Sequence, residues 1–318
     1  PEQYPIVGKY LIGAMGTVLG DGLTPEIKNA WIAAYGQLAD VFIGREAQLY
    51  SEAGPEWQTW RKFRIAKKQV ESEGITSFYL QPVDGVALPA YQPGQYISLQ
   101  MPIDTLNGVL QSRQFSISLP AVTADGLRVT VKREEAPEAV NGNSDAAVVA
   151  GLISSRLHDK YQVGDEVDLS SPRGEFFLTK EVAQADSPVV LLSAGVGATA
   201  VLPILDTLDA NRRSSYIHTA RSLKRLCFKE HVEAAAKARP NLNVAMFVQD
   251  GADDGLVKTG KLSLEQSDIS PALFLDDAKT QYYVCGPEDW MVKIRESLQK
   301  QNVGLDRIHL ELFRTGDI

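Results

Sequence analysis

Pro188-Val189-Val190-Leu191-Leu192-Ser193-Ala194-Gly195-Val196-Gly197-Ala198-Thr199-Ala200 decides how the second half of this 318-residue chain folds. Val189 to Leu192 form a short, wholly apolar run, which predicts a strand buried on both faces of a parallel sheet. Glycines in the turn that follows let the backbone approach a ligand closely. Free N–H groups at the start of the helix-like stretch Ala198–Leu208 attract a diphosphate there. Position 200 is Ala, so the full G-x-G-x-x-G pattern is not met, and a plain tight turn is the alternative reading.

Downstream, strands are predicted at Ser215–His218, Asn243–Val248 and Gln281–Cys285, with helices near Phe228–Ala238 and Glu288–Gln301. Alternating strands and helices predict a doubly wound parallel sheet. Cys285-Gly286-Pro287 ends the last of these strands. Ligands of such sheets sit beyond the carboxyl ends of the strands, so this tripeptide and the Gly195 turn are expected to face one cleft. A cysteine there would pack against and orient a bound ring; a small buried residue before a turn is the plainer alternative.

Upstream, from Trp60 onward, the apolar period is two. Alternating runs opening at Phe63 and spanning Ile75–Pro82, Gln95–Met101, Ser112–Leu119 and Leu127–Arg133, punctuated by turn residues, predict an antiparallel barrel. A helix is expected within Asp145–His158, a strand at Glu166–Leu169, and a mobile loop at Glu134–Ser144. Arg113-Gln114-Phe115-Ser116 falls on the fourth strand, where alternation places Arg113 and Phe115 on one face and Gln114 and Ser116 on the other. Arg offers a forked donor for phosphate, an aromatic lies against a flat ring, and Ser can bond a ring carbonyl. Taken alone, the tetrapeptide also fits an ordinary edge strand.

The first fifty residues read as two helices, Tyr4–Leu19 and another from Thr24-Pro25-Glu26 to about Tyr50. Thr24 can cap, Pro25 suits the first helical position and Glu26 favours the positive end of the dipole. Apolar faces carrying Val7, Leu11 and Val18, and Ile27, Trp31, Leu38 and Phe42, cannot bury much against each other. They read as the end of an α-domain whose beginning lies outside the sequence.

Composition narrows the classes. The chain is 44% hydrophobic and 23% charged with a formal net charge of −8, which argues against nucleic acid as a partner. No apolar run reaches the length of a membrane span. Cys227 and Cys285 stand far apart, excluding a disulfide scaffold or a Cys-ligated metal site and fitting a reducing, cytoplasmic compartment. His158, His218, His231 and His309 form no pair at ligand spacing. The chain starts at Pro1 without Met, so its natural N-terminus is expected to lie further upstream.

Pro93-Gly94-Gln95-Tyr96, Arg113-Gln114-Phe115-Ser116, Ser171-Pro172-Arg173-Gly174-Glu175-Phe176, Ala194-Gly195-Val196-Gly197 and Cys285-Gly286-Pro287 occur in that order. The series resembles the ferredoxin–NADP reductase family from about Trp60 to the C-terminus. Pro1-Glu2-Gln3-Tyr4-Pro5-Ile6-Val7-Gly8, Ala34-Tyr35-Gly36-Gln37-Leu38-Ala39 and Val41-Phe42-Ile43-Gly44-Arg45-Glu46 extend the likeness. They look like the last helices of the globin of a flavohaemoglobin.

The resemblance implies a multidomain chain: a short all-α globin remnant (1–57), an antiparallel FAD-binding β-barrel (58–182) and an α/β doubly wound, parallel-sheet NAD(P)-binding domain (183–318). It implies electron transfer from NAD(P)H through FAD to haem, serving oxidation of nitric oxide by O2 to nitrate, in a monomer. By the same resemblance, Tyr96, Arg113, Gln114, Phe115 and Ser116 hold FAD, with Phe115 in place of the usual Tyr. Ser154 and Ser155 meet its phosphates. Gly195, Val196, Gly197, Ala198, Thr199 and Ala200 bind the nicotinamide nucleotide, with Thr199-Ala200 where Thr-Pro is usual. Cys285, Gly286 and Pro287 adjoin the nicotinamide. Glu311, Leu312 and Phe313 lie over the flavin, Glu311 tuning its potential, while Arg314-Thr315 replaces the family's Gly-Pro.

Tyr4 and Glu46 correspond to a relay toward a proximal haem His that precedes Pro1, so haem is expected only in the full-length protein. In this chain they read as a solvated tyrosine and a helix-surface acid. Arg221 either meets a ribose 2′-phosphate, favouring NADPH, or is an exposed loop residue. Two other outcomes stay open: a stand-alone flavin reductase serving another acceptor, and a non-catalytic truncated chain whose exposed helices bind a partner.

Overall fold

Pro5 sits in the first turn of helix α1 (Tyr4–Leu19), where its missing N–H forfeits no hydrogen bond. Gly20, at φ +51°, ends the helix by returning its N–H to the Gly16 carbonyl. Thr24 Oγ1 then accepts from the Ile27 N–H (3.3 Å) at the head of α2 (Pro25–Glu52). These helices belong to the first of two compact units of the computed structural model, Pro1–Thr59 and Trp60–Ile318. The structure describes residues 1–52, 57–121, 123, 126–134, 151–251 and 253–313.

In the first unit α1 and α2 meet where Gly8 has no side chain: a Cβ there would lie 2.6 Å from Tyr35 Cε1. The Tyr35 hydroxyl donates to the Tyr4 carbonyl (2.6 Å) and the Tyr4 hydroxyl to Glu46 Oε1 (2.9 Å). Ala39 is buried, while Val7, Leu11, Val18, Trp31 and Phe42 remain exposed, as two helices alone must leave them.

The second unit holds two sheets. β1 (Arg61–Ser72), β2 (Ile75–Pro82), β3 (Tyr96–Ile103), β4 (Val109–Ser116), β5 (Leu127–Lys132) and β6 (Glu166–Leu169) form an antiparallel sheet in the order β4-β3-β6-β1-β2-β5. The chain just past β4 meets β5 through an Ile117–Val129 bridge, so the barrel closes at that point while β4 itself stays an edge strand paired to β3. Phe63, Ile65, Phe78, Leu80, Ile97, Leu99 and Val129 are fully buried. Full burial of such side chains is worth about 1.5–3 kcal/mol each.

β7 (Val189–Ala194), β8 (Ser214–Ser222), β9 (Leu242–Asp250), β10 (Val257–Thr259), β11 (Gln281–Cys285) and β12 (Ile308–Glu311) pair in parallel, in the order β10-β9-β8-β7-β11-β12. Every residue of β7 is buried. The short helix α3 (Ser154–Asp159) follows β5 in the chain and α4 (Lys180–Gln184) follows β6; α5 (Ala198–Thr207), α6 (Lys229–Ala238) and α7 (Glu288–Lys300) lie between the parallel strands in sequence. Strand order reverses between β7 and β11, so the turns after these two strands stand at the switch point, where doubly wound sheets bind ligands.

The bounds of β2, β6 and β11 are those the sequence predicts. The helix expected within Asp145–His158 is α3, which begins at Ser154; residues 145–150 lie outside the described residues, as does most of the Glu134–Ser144 loop. β10, β12 and α4 were not foreseen.

Candidate functional site

Ser116 ends β4 on its inward side. The residue is 5% exposed, and its Oγ has no hydrogen-bond partner. Leaving a hydroxyl buried and unpaired costs roughly 1–3 kcal/mol. The chain that tolerates this offers the group to something it does not itself contain. Ser116 opens onto a cleft of about 230 Å³. Arg113, Gln114, Phe115 and Ser116 all line it. Alternation had divided these four between two faces; β4 is an edge strand paired only to β3, so the cleft takes side chains from both.

Across from β4 the same cleft is lined by Thr130 and Lys132 of β5 and by Ile153 and Ser154 at the head of α3. Ser154 Oγ accepts from the Glu134 N–H (3.2 Å), and the Ser155 hydroxyl donates to the Glu134 carbonyl (3.0 Å). The two serines thus fix the entry into α3. Thr130, Lys132 and Glu134 are lining residues that the sequence reading missed. They reach the cleft through barrel closure, which no local pattern announces.

The third wall comes from the parallel sheet. Val196 and Thr199, in the turn after β7, line the cleft together with Phe313. Gly195 adopts φ +55°, and a Cβ on Gly197 would lie 2.2 Å from the Cys285 carbonyl oxygen. No side chain fits at position 197, so the turn lies backbone against backbone on Cys285-Gly286. The two segments therefore touch, although Cys285, Gly286 and Pro287 are not among the residues that line this cleft. Thr199 Oγ1 donates to the Val196 carbonyl (2.8 Å) and locks the turn. Beneath it Ser193 Oγ is bonded to His218 Nδ1 (2.8 Å), a buried pair the sequence did not reveal.

β12 pairs with β11 so that Glu311 stands opposite Cys285. Burial pushes the Glu311 carboxyl up to about 7. Burial, with the Glu311 charge added, holds the Cys285 thiol well above its ordinary range. A thiol so held supplies no nucleophile, in keeping with a packing role. Tyr96, opposite Ser116 in the β3–β4 register, has its phenol raised by burial and then by Glu311. Tyr96 also exchanges backbone hydrogen bonds with Arg173 (2.9 and 2.8 Å). Tyr96 and Cys285 thus both feel the Glu311 charge.

Leu312 packs against the core beneath the parallel sheet, and Phe313 is 46% exposed at the cleft. Arg221, near the end of β8, is exposed and is not among the cleft's lining residues. Tyr4 and Glu46 lie in the other unit, where the Tyr4 hydroxyl donates to Glu46 Oε1 (2.9 Å) while the Glu46 side chain stays partly exposed. A larger cleft of about 440 Å³ lies at the amino ends of the central strands β7 and β8, around Leu208 and Arg212, and contains none of the predicted site residues. Among the described residues no group of His, Cys, Asp or Glu is placed to hold a metal ion, and no helix is long and apolar enough to cross a membrane.

Residues 191–296 match the family described as Oxidoreductase NAD-binding domain. A flavohemoprotein of Bordetella pertussis is 40% identical over 326 residues, covering 100% of this chain and 77% of that protein. The chain belongs to the flavohemoprotein family. Its reductase part is accordingly an oxidoreductase that works with a flavin and a nicotinamide nucleotide. A solved structure described as the flavohem-like FAD/NAD-binding domain of nitric oxide dioxygenase from Vibrio cholerae matches at 33% identity and a TM-score of 0.67, covering 80% of this chain and 98% of that one. The flavohemoglobin of Malassezia yamatoensis, solved with FAD and haem, matches at 28% identity and a TM-score of 0.79, covering 99% of this chain and 75% of that one.

Proposed function

We propose that the chain carries electrons from NAD(P)H to FAD held in the β4 cleft and on toward the haem of a flavohemoprotein, serving nitric oxide oxidation by O2. The observation that carries this reading is the unpaired, buried Ser116 Oγ in a cleft that joins the barrel to the nucleotide turn. Bound FAD exchanges two electrons with a nicotinamide nucleotide and one at a time with haem.

The residues of this chain bind, orient and exclude water. Ser116 would offer its unpaired hydroxyl to a polar atom of the flavin, and Phe115 would offer it an aromatic face. Arg113 and Lys132 bring positive charge to its diphosphate, near Ser154 and Ser155. Tyr96 flanks the ring with Gln114. The turn Gly195 to Ala200, at the head of α5, would receive the nucleotide diphosphate, and Cys285, Gly286 and Pro287, which lie against Gly197, would adjoin the nicotinamide. Glu311, its carboxyl pushed up to about 7 by burial, would take up or release a proton near neutral pH as the flavin changes charge. Leu312 anchors the segment that lets Phe313 cover the ring and keep out water. Arg221 meets the ribose 2′-phosphate if NADPH is the donor.

Pro1–Thr59 contains no histidine, so the imidazole ligand of a haem does not come from the residues in hand. The steps assigned to this chain therefore stop at the flavin, and Tyr4 and Glu46 are read as a relay that works when haem is present. The flavin domain is taken as residues 58–182 and the nucleotide domain as 183–318, divided in the segment between β6 and β7. Two free, buried cysteines suit a monomer working in the cytoplasm.

A visible spectrum of the purified chain with FAD, followed without oxygen, tests the reading. Flavin bands that bleach on adding NADH or NADPH are expected. A chain that takes up no FAD would sink it, and a faster rate with one nucleotide assigns the donor.

A further inference from the structure

We propose that the contact of Arg128 with Phe228 helps seat the parallel-sheet half of Trp60–Ile318 against the barrel half, and that loosening it slows flavin reduction. The inference rests on the reductase reading above. It makes Arg128 a positioning residue, remote from the reacting atoms.

Arg128, on β5, is 8% exposed, and no carboxylate pairs with it among the described residues. A buried cation is tolerated only where other groups replace its hydration. Here the Ser118 hydroxyl accepts from Nε (2.9 Å), the Ser118 carbonyl accepts from a terminal N–H, and the Tyr79 hydroxyl accepts from the other terminal nitrogen (3.4 Å). The guanidinium carbon lies 5.7 Å from the centre of the Tyr79 ring and 5.3 Å from that of Phe228. Tyr79 belongs to the barrel, but Phe228 belongs to the other half, just before α6. The charge is therefore shared across the boundary.

Both ends of this contact lead to the site. On the barrel side Ser118 Oγ lies 2.8 Å from Thr130 Oγ1, and Thr130 lines the flavin cleft. On the other side Phe228 is held at φ +60°, a conformation unfavourable for a residue with a Cβ. Its neighbour Cys227 directs its thiol to the Gly195 carbonyl (3.8 Å), beneath the nucleotide turn. Next to the contact, the Glu73 N–H donates to the Lys224 carbonyl (2.8 Å), a backbone bond across the same boundary. This contact joins the Phe176–Tyr283 ring pair (5.4 Å between centroids) and the Tyr283 hydroxyl on the Phe177 carbonyl (3.3 Å) in fixing the nucleotide turn relative to the flavin cleft. Near-attack placement governs transfer rates, so loosening this tie slows reduction without emptying either site.

The test compares the FAD-loaded wild type with Phe228→Leu and Phe228→Gly. Rapid mixing with saturating NADH or NADPH is expected to show flavin bleaching slowed on the order of tenfold in both variants, the worth of a desolvated cation–π contact. FAD content and reoxidation by O2 should stay unchanged. Glycine adopts φ +60° without strain, so a slow Phe228→Gly assigns the effect to the lost ring. In the cofactor-free protein, hydrogen exchange at the Glu73 amide is expected to accelerate in both variants while that of β7 stays protected. A wild type that takes up no FAD overturns this inference together with the function reading. A wild type that bleaches, with variants that bleach equally fast or lose their FAD, overturns this inference alone.

Discussion

The cleft is walled on one side by β4 and on another by the turn after β7, and these walls work in opposite ways. β4 is an edge strand that presents side chains, including one hydroxyl left without a partner. The turn presents backbone: its second glycine leaves no room even for a methyl group, because the Cys285 carbonyl stands where a Cβ would go. Side-chain walls are sensitive to what is removed from them, and backbone walls to what is added. The same cleft should therefore respond to opposite kinds of substitution on its two sides.

The largest effect is expected where something is added. Gly197→Ala drives a Cβ into a backbone carbonyl that cannot rotate away, and overpacking of this kind costs about 1–3 kcal/mol. Urea unfolding should show that loss, and the Michaelis constant for the nicotinamide nucleotide should rise more than the loss of flavin. Gly195→Ala supplies the control: no atom lies within 4 Å of its Cβ position, and only the positive φ opposes it. That penalty is about 1–2 kcal/mol. If Gly195→Ala proved the more damaging of the two, the backbone-on-backbone account of the turn would be wrong.

On the side-chain wall, removal is the informative change. Ser116→Ala takes away a hydroxyl that bonds to nothing in the protein, so the cofactor-free chain should unfold at the same urea concentration or slightly higher. Affinity for FAD should fall on the order of tenfold, the worth of one hydrogen bond in a buried site. Fluorescence quenching of added FAD measures it. A fall in stability without a fall in affinity would make Ser116 a packing residue.

Glu311 sharpens the comparison through pH, because its charge reaches both Tyr96 on β3 and Cys285 at the end of β11. Its folded value is raised to about 7 from 4.5 by burial. Between those values the unfolded chain has released the proton and the folded chain has kept it. Stability contributed by Glu311 is thus complete below 4.5 and lost as pH rises through 7. His218 has the opposite sign: burial lowers it from 6.5 to about 4, so its contribution is present above 6.5 and lost as pH falls toward 4. In the native chain the two slopes oppose each other over much of the range. Glu311→Gln should leave thermal stability rising with pH between about 4.5 and 6.5; an unchanged profile would show that Glu311 titrates like a surface acid.

The two walls also differ in how far the sequence discloses them. The turn after β7 and Cys285-Gly286-Pro287 are readable because one apolar run, two glycines and a strand end are local signals, and the switch-point rule joins them. The β4 tetrapeptide is readable as chemistry, but the rest of its wall is not. Thr130 and Lys132 enter the cleft only when the chain past β4 closes onto β5, a pairing of low local content. β12 escaped although it carries Glu311: four residues show no clear period, and β6, equally short, was legible only because the Gly164-Asp165 turn leads into it. The Ser193–His218 bond is invisible for another reason: each residue sits in an apolar strand where its side chain reads as a tolerated exception.

The smallest effect is expected in Pro1–Thr59, which buries little and so has little to lose. The Tyr4–Glu46 hydrogen bond holds the Tyr4 phenol above its ordinary range, with the carboxylate as the main cause. Glu46→Gln removes that charge, and carbon-detected NMR of labelled tyrosine should show Tyr4 ionising at lower pH than in the native chain. Helix content should not change, because α1 and α2 are joined by Gly8 against the Tyr35 ring and by the Tyr35 hydroxyl on the Tyr4 carbonyl, neither of which involves Glu46. Partly exposed pairs of this kind add little to stability. A loss of helical circular dichroism in Glu46→Gln would show instead that the pair holds the two helices together, and the first unit would then depend on a side-chain contact as the β4 wall does.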